Sequence, residues 1–163
     1  MTIVNKNLVG RCGIYCGSCT IYRAYKDSEK LRRLLAEEHN CIPEDIRCEG
    51  CQTVLRGGWE GEEEWGKKCK IIKCLEGSGL EFCYDCKKYP ECEKFSELAE
   101  FYLKKGENLT KNLEQIKHGK IKEWLVEKEN KWRCEACGNP ISTLPECHWC
   151  GSPILPFSNN CIH

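Results

Sequence analysis

Residues 134–141 read Cys134-Glu135-Ala136-Cys137-Gly138-Asn139-Pro140-Ile141, and residues 147–154 repeat the pattern as Cys147-His148-Trp149-Cys150-Gly151-Ser152-Pro153-Ile154. Each half sets two thiols on a tight Cys-x-x-Cys turn, followed by a glycine that takes positive φ at no steric cost. Nine residues separate the two pairs, a spacing at which four thiolates close around one tetrahedral ion. The glycine lets backbone N–H groups turn inward to the sulfurs and steady them, and Pro-Ile then opens a short strand. Two such halves facing each other predict a zinc ribbon over residues 134–163.

Cysteine dominates the rest of the chain as well. Sixteen of 163 residues are cysteine, against four Phe and one Met. So few large apolar side chains make a thin core, and small modules of that kind rely on disulfides or metals. The first ten residues are mixed and polar, with no apolar export signal, and no run of 18 apolar residues suits a membrane span. The expectation is a cytoplasmic protein, where thiols bind metal; disulfides are the alternative.

Three regions are expected. Residues 1–93 form a cysteine-rich metal-binding module offering Cys12, Cys16, Cys19, Cys48, Cys51, Cys69, Cys74, Cys83, Cys86 and Cys92. Cys41 and Cys161 stand apart. One partition joins Cys16 and Cys19 with Cys48 and Cys51, and Cys69 and Cys74 with Cys83 and Cys86, leaving Cys12 and Cys92 spare. Interleaved pairings satisfy the spacing equally. With Cys134, Cys137, Cys147 and Cys150 these thiols would hold about three zinc ions, each structural site contributing of order 10 kcal/mol to folding. An iron–sulfur cluster also accepts four thiolates and is the alternative cofactor.

Helical periodicity within that module is confined to Thr20–Glu38, where Ile21, Tyr22 and Tyr25 share one face and Leu31, Leu34 and Leu35 another. Asp27-Ser28 offers a cap between them, so one kinked helix or two short ones fit. Past Pro43 only loops between cysteines are expected. Residues 94–133 form a helical segment. Phe95, Leu98 and Tyr102 give a first helix closed by Gly106. Asn108 caps a second with Leu109, Leu113 and Ile116 on one face, ended by His118-Gly119. Ile121, Trp124, Leu125 and Trp132 define a third.

Other features carry less chemistry. The loop Arg56-Gly-Gly-Trp59-Glu-Gly-Glu-Glu-Glu64-Trp65-Gly66 reads as an acidic solvated loop whose tryptophans cover the metal module, or as a lip for a cationic partner. His148, between two better ligands, is assigned to solvent. His39 and Cys41 are too few for a site. No nucleophilic triad and no phosphate-binding glycine loop is legible. The net charge is zero, and residues 134–163 contain no Lys or Arg. A nucleic-acid ribbon would offer cations to phosphates, which counts against nucleic acid as a partner.

The order Arg11-Cys-Gly-Ile-Tyr-Cys16-Gly-Ser-Cys19-Thr-Ile-Tyr22, Cys48-Glu-Gly-Cys51, Cys69-Lys-Ile-Ile-Lys-Cys74 and Phe82-Cys83-Tyr-Asp-Cys86-Lys-Lys-Tyr-Pro90-Glu-Cys92 resembles the cysteine-rich domain-of-unknown-function family 3795 of bacteria and archaea. The resemblance covers roughly residues 8–95 and implies zinc binding through these cysteines with no established activity. The sequence therefore predicts a small metal-stabilised α+β protein with a C-terminal zinc ribbon. It would act as a binding or adaptor module for a protein or small ligand, with structural metals and no enzymatic activity. The alternative is an iron–sulfur or zinc-dependent redox or metal-handling enzyme.

Overall fold

The computed structural model describes residues 4–55, 65–66 and 68–154. Within them lie seven α-helices: α1 Thr20–Asp27, α2 Glu29–Glu38, α3 Cys51–Leu55, α4 Lys70–Ser78, α5 Glu93–Leu103, α6 Leu109–Lys117 and α7 Ile121–Lys131. Single 3₁₀ turns cover Lys6–Leu8, Cys16–Ser18, Pro43–Asp45 and Cys83–Asp85. No strand or sheet occurs among the described residues, only three isolated antiparallel bridges, Val9 with Tyr15, Arg133 with Pro140 and Glu146 with Pro153. The expected α+β class is thereby overturned: the fold is all-helical.

The two cysteine knuckles show why strands do not develop. Cys134 N–H donates to Asn139 O at 2.9 Å and Ile141 N–H to Trp132 O at 3.0 Å. The N–H of Trp132 itself is spent on Lys128 O at the end of α7. In the second knuckle Cys147 N–H donates to Ser152 O and Ile154 N–H to Pro145 O. Pro145 has no N–H to return, so that ladder also stops after one rung.

The helical expectations fare better. The break between α1 and α2 falls at Ser28, whose side chain accepts from Leu31 N–H at 3.1 Å. Asn108 caps α6 by accepting from Lys111 N–H, and Leu109, Leu113 and Ile116 are buried. His118 ends α6 with its Nδ1 2.7 Å from Glu114 O, and Gly119 follows with φ 77°. Leu34 departs from its expected face and stands exposed. α3 and α4 fall where the sequence reading expects loops; in α4, Ile71, Ile72 and Leu75 bury one face and Gly79 ends the helix with φ 66°. Of the loop 56–66, Trp59 lies outside the described residues. Trp65 donates to Arg47 O at 3.0 Å and meets the His39 ring edge-on. No helix among the described residues is long and apolar enough to cross a membrane.

The centre of the molecule is a loop. Residues 8–18, which include Cys12 and Cys16, are buried without interruption. Buried backbone must find partners, and this loop finds them across the chain. Gln52 of α3 donates to Val9 O (3.1 Å), Cys83 N–H to Arg11 O (3.1 Å), Asn112 of α6 to Gly13 O (2.9 Å), and Thr143 N–H to Ser18 O (3.2 Å). α6 comes so close that a Cβ on Gly13, where φ is +92°, would lie 2.7 Å from Leu109 O and 2.8 Å from Leu113 Cγ. Tyr15 meets Trp124 of α7 edge-on at 6.1 Å.

Asn112 is itself held by the carboxylate of Glu107, which is fully buried in the turn between α5 and α6. Glu107 also accepts from Lys128 Nζ (2.9 Å), Lys131 Nζ (3.1 Å) and Trp132 Nε1 (2.6 Å). Burial works to raise this carboxyl, but Lys128 and Lys131 outweigh it and hold the group below the ordinary carboxylate range.

Two outcomes follow from this centre. Gly13→Ala forces an L-residue into positive φ against α6, and urea unfolding of the metal-loaded protein should show a loss of at least roughly 1–3 kcal/mol. Glu107→Gln leaves Lys128 buried without its counter-ion, a change that costs about 3–5 kcal/mol. Because Glu107 is held low, its contribution is complete above the ordinary carboxyl value of 4.5 and is lost as pH falls through the lower folded value. The stability gap between wild type and Glu107→Gln, measured by unfolding at a series of pH values, should therefore narrow on acidification.

Candidate metal centres

The C-terminal knuckles bring Cys134, Cys137, Cys147 and Cys150 together, with all four sulfurs within 4.8 Å of one another. Cys134 Sγ lies 3.7 Å from Cys150 Sγ, and Cys137 Sγ 3.8 Å from Cys147 Sγ. Four sulfurs at the zinc–thiolate distance of about 2.3 Å on tetrahedral corners are about 3.8 Å apart. The donor set and its spacing fit a four-coordinate ion, and the cluster could hold one. Cys134 and Cys147 are buried, Cys137 and Cys150 exposed.

Each knuckle is built the same way. Gly138 N–H donates to Cys134 O and Gly151 N–H to Cys147 O, with φ of 75° and 74° at the two glycines. The glycine N–H groups thus close the turn through carbonyls rather than sulfurs. The sulfur contacts come from their neighbours, Trp149 N–H to Cys147 Sγ (3.4 Å) and Asn139 Nδ2 to Cys137 Sγ (3.5 Å). The Ser152 hydroxyl, 3.2 Å from Cys150 Sγ, leads the interactions that hold that thiol down at about 6. Burial pushes Cys147 up to about 11. Trp149 Nε1 bonds Pro140 O and ties one knuckle to the other.

His148, expected in solvent, is instead half-buried, with its side chain covered against α1. Its Nε2 lies 2.9 Å from Asp27 Oδ2, which also pairs with Arg23 at 3.4 Å. The backbone geometry of a Cys-x-x-Cys turn directs the two intervening side chains away from the metal, and here one of them meets a helix.

The first region gathers its thiols differently. Cys16 and Cys51 hydrogen-bond each other, which raises the first and lowers the second. Cys12, Cys19, Cys48 and Cys69 all lie in the field of Cys51, and burial pushes each of these four thiols up. Cys48 accepts from Gly50 N–H at 3.4 Å. Cys74, Cys83, Cys86 and Cys92 line one small cavity of about 30 Å³, closed by Tyr89 and Phe95. Burial, then Cys92, Cys74 and Cys86 in turn, push Cys83 up to about 12. Among the described residues only the C-terminal tetrad has its ligand atoms mutually within 4.8 Å. All fourteen clustered cysteines are free thiols, and Cys161 lies outside the described residues.

Arg11 joins the two groups of the first region. Its buried guanidinium donates to Glu81 O (2.7 Å) and Leu80 O (2.5 Å), just ahead of Cys83. Its Nη1 has no hydrogen-bond partner among the described residues, and its charge lowers Cys51, Cys69 and Cys83 alike. Sequence spacing gives no sign of Arg11, Glu107 or Asn112, because each acts across dozens of residues.

A family model described as a protein of unknown function (DUF3795) matches residues 8–97. The chain belongs to the DUF3795 family. The matched segment contains all eleven cysteines of the first region, Cys41 among them, while the C-terminal tetrad lies beyond it. No curated protein and no solved structure matches this DUF3795 chain.

Native mass spectrometry tests the assignment at the tetrad. Cys147→Ser should lower the bound-metal count by one ion, whereas His148→Ala should leave it unchanged.

Proposed function

We propose that this DUF3795 protein is a cytoplasmic zinc protein in which the metals are structural and the fold they hold serves as a binding or adaptor module. The observation that carries the reading is the C-terminal tetrad, whose sulfur separations of 3.7 and 3.8 Å suit a closed tetrathiolate shell. Such a shell leaves no coordination position for substrate or water, unlike a catalytic zinc site with three protein ligands. A reducing compartment suits a chain with sixteen cysteines. The partner is a protein or a small ligand, since the C-terminal region offers no cation to a phosphate backbone.

Purification under reductant and without oxygen, followed by metal analysis and an absorption spectrum, tests the reading. A colourless protein with about three zinc ions per chain, whose cooperative melt disappears on chelation, is the expected result. Iron with acid-labile sulfide, or a metal-free chain that still melts cooperatively, would overturn it in favour of a redox protein or a conventional core respectively.

A further inference from the structure

We propose that the cavity enclosed by the buried loop, α1, α7 and the start of the first knuckle binds a small organic monocarboxylate of about benzoate's size, with Arg23 and Tyr15 receiving the carboxylate. The inference rests on the binding-module reading above and goes further by giving that module a ligand class and a site.

Size and walls come first. The cavity measures about 140 Å³, close to the ~150 Å³ of an apolar protein cavity that admits benzene and below the ~300–1,000 Å³ of pockets for drug-sized molecules. Val4, Leu8, Leu125 and Pro140 supply apolar wall. The Trp132 ring adds to it, since its Nε1 donates to Glu107. A compact ligand with an apolar body suits such a space. Its polar end is set by the other lining residues. Tyr15 folds back over Gly17, where a Cβ would lie 2.4 Å from the phenol oxygen, and both residues line the cavity. The Tyr15 hydroxyl has no hydrogen-bond partner among the described residues. Burial, then Glu129, push it up to about 12 against the pull of Arg23 and Arg133, so near neutral pH it is a donor.

The charges of the cavity are unequally satisfied. Arg133 and Glu129 hold each other at 3.0 Å, both half-exposed, and Arg133 donates also to Gly138 O at 3.0 Å. That pair neutralises itself at the rim. Arg23 of α1 is buried, with its guanidinium 4.8 Å over the Tyr22 ring. Its carboxylate partner, Asp27, stands 3.4 Å away and lies closer, at 2.9 Å, to His148. The Nε of Arg23 is buried with no hydrogen-bond partner among the described residues. A buried guanidinium so placed is short of an acceptor, and a planar carboxylate is the acceptor its fork of donors matches. A neutral ligand of the same shape would leave that deficit in place, and a cationic one would meet Arg23 as a like charge.

The test uses the full metal-loaded chain with benzoate as the probe. Titration calorimetry should show saturable binding at a single site, with benzyl alcohol and benzylamine each at least about tenfold weaker. In amide NMR spectra the signals moved by benzoate should include those of Gly17 and Leu125. Tyr15→Phe removes only an unpartnered hydroxyl, so the melting temperature should hold while benzoate affinity falls about tenfold. No saturable binding, equal affinity for benzyl alcohol or benzylamine, or shifts confined to another part of the molecule would overturn the site. Each of those results leaves the binding-module reading standing through a protein partner, whereas that reading falls on the metal analysis and absorption spectrum. The NMR mapping needs no variant and so decides the matter even if Tyr15→Phe fails to fold.

Discussion

A buried loop is the constraint around which this protein is organised. Helices and sheets satisfy their own backbone, but an irregular segment in the interior cannot, and each stranded carbonyl would cost about 1–3 kcal/mol. Residues 8–18 meet that demand by recruiting one donor each from α3, the Cys83 turn, α6 and the segment ahead of the second knuckle. Every one of those donors lies far away in sequence, so the loop can be buried only when the rest of the chain has assembled around it. Glu107 extends the same logic outward, fixing Asn112 and gathering two lysines and a tryptophan of the α7 end.

Burying the loop also buries thiols, and this sets the chemistry. Cys12, Cys16 and Cys83 are displaced well above the ordinary thiol range, so without a cation they remain protonated and act as small apolar groups. A divalent ion held by these thiols would invert that balance, because it binds only the thiolate. Uptake of such an ion would be coupled to proton release. Arg11, buried beside these thiols, is held by the carbonyls of Glu81 and Leu80.

What the sequence made legible was whatever is local. The knuckle repeat, the Ser28 and Asn108 caps, and the apolar faces of α6 and α7 all follow from neighbours within one or two turns. The strands expected after Cys137 and Cys150 failed for a reason visible only in register: one ladder runs into the end of α7 and the other into Pro145. α4 leaves a weak periodic trace because its buried face consists of only Ile71, Ile72 and Leu75. The solvent assignment of His148 failed because nothing near it announces Asp27, which is over a hundred residues away. The Glu107 and Arg11 networks are long-range and leave no periodic trace at all.

The span of family similarity and the span of physical self-sufficiency do not coincide. Residues 8–97 contain the whole buried loop, yet two of its carbonyls, Gly13 O and Ser18 O, take their protons from Asn112 and from Thr143 N–H. A fragment cut to the homologous boundaries would carry both acceptors stripped of donors and would lay bare the glycine surface that α6 covers. This chain resolves the problem internally, using its second half as a lid on its first.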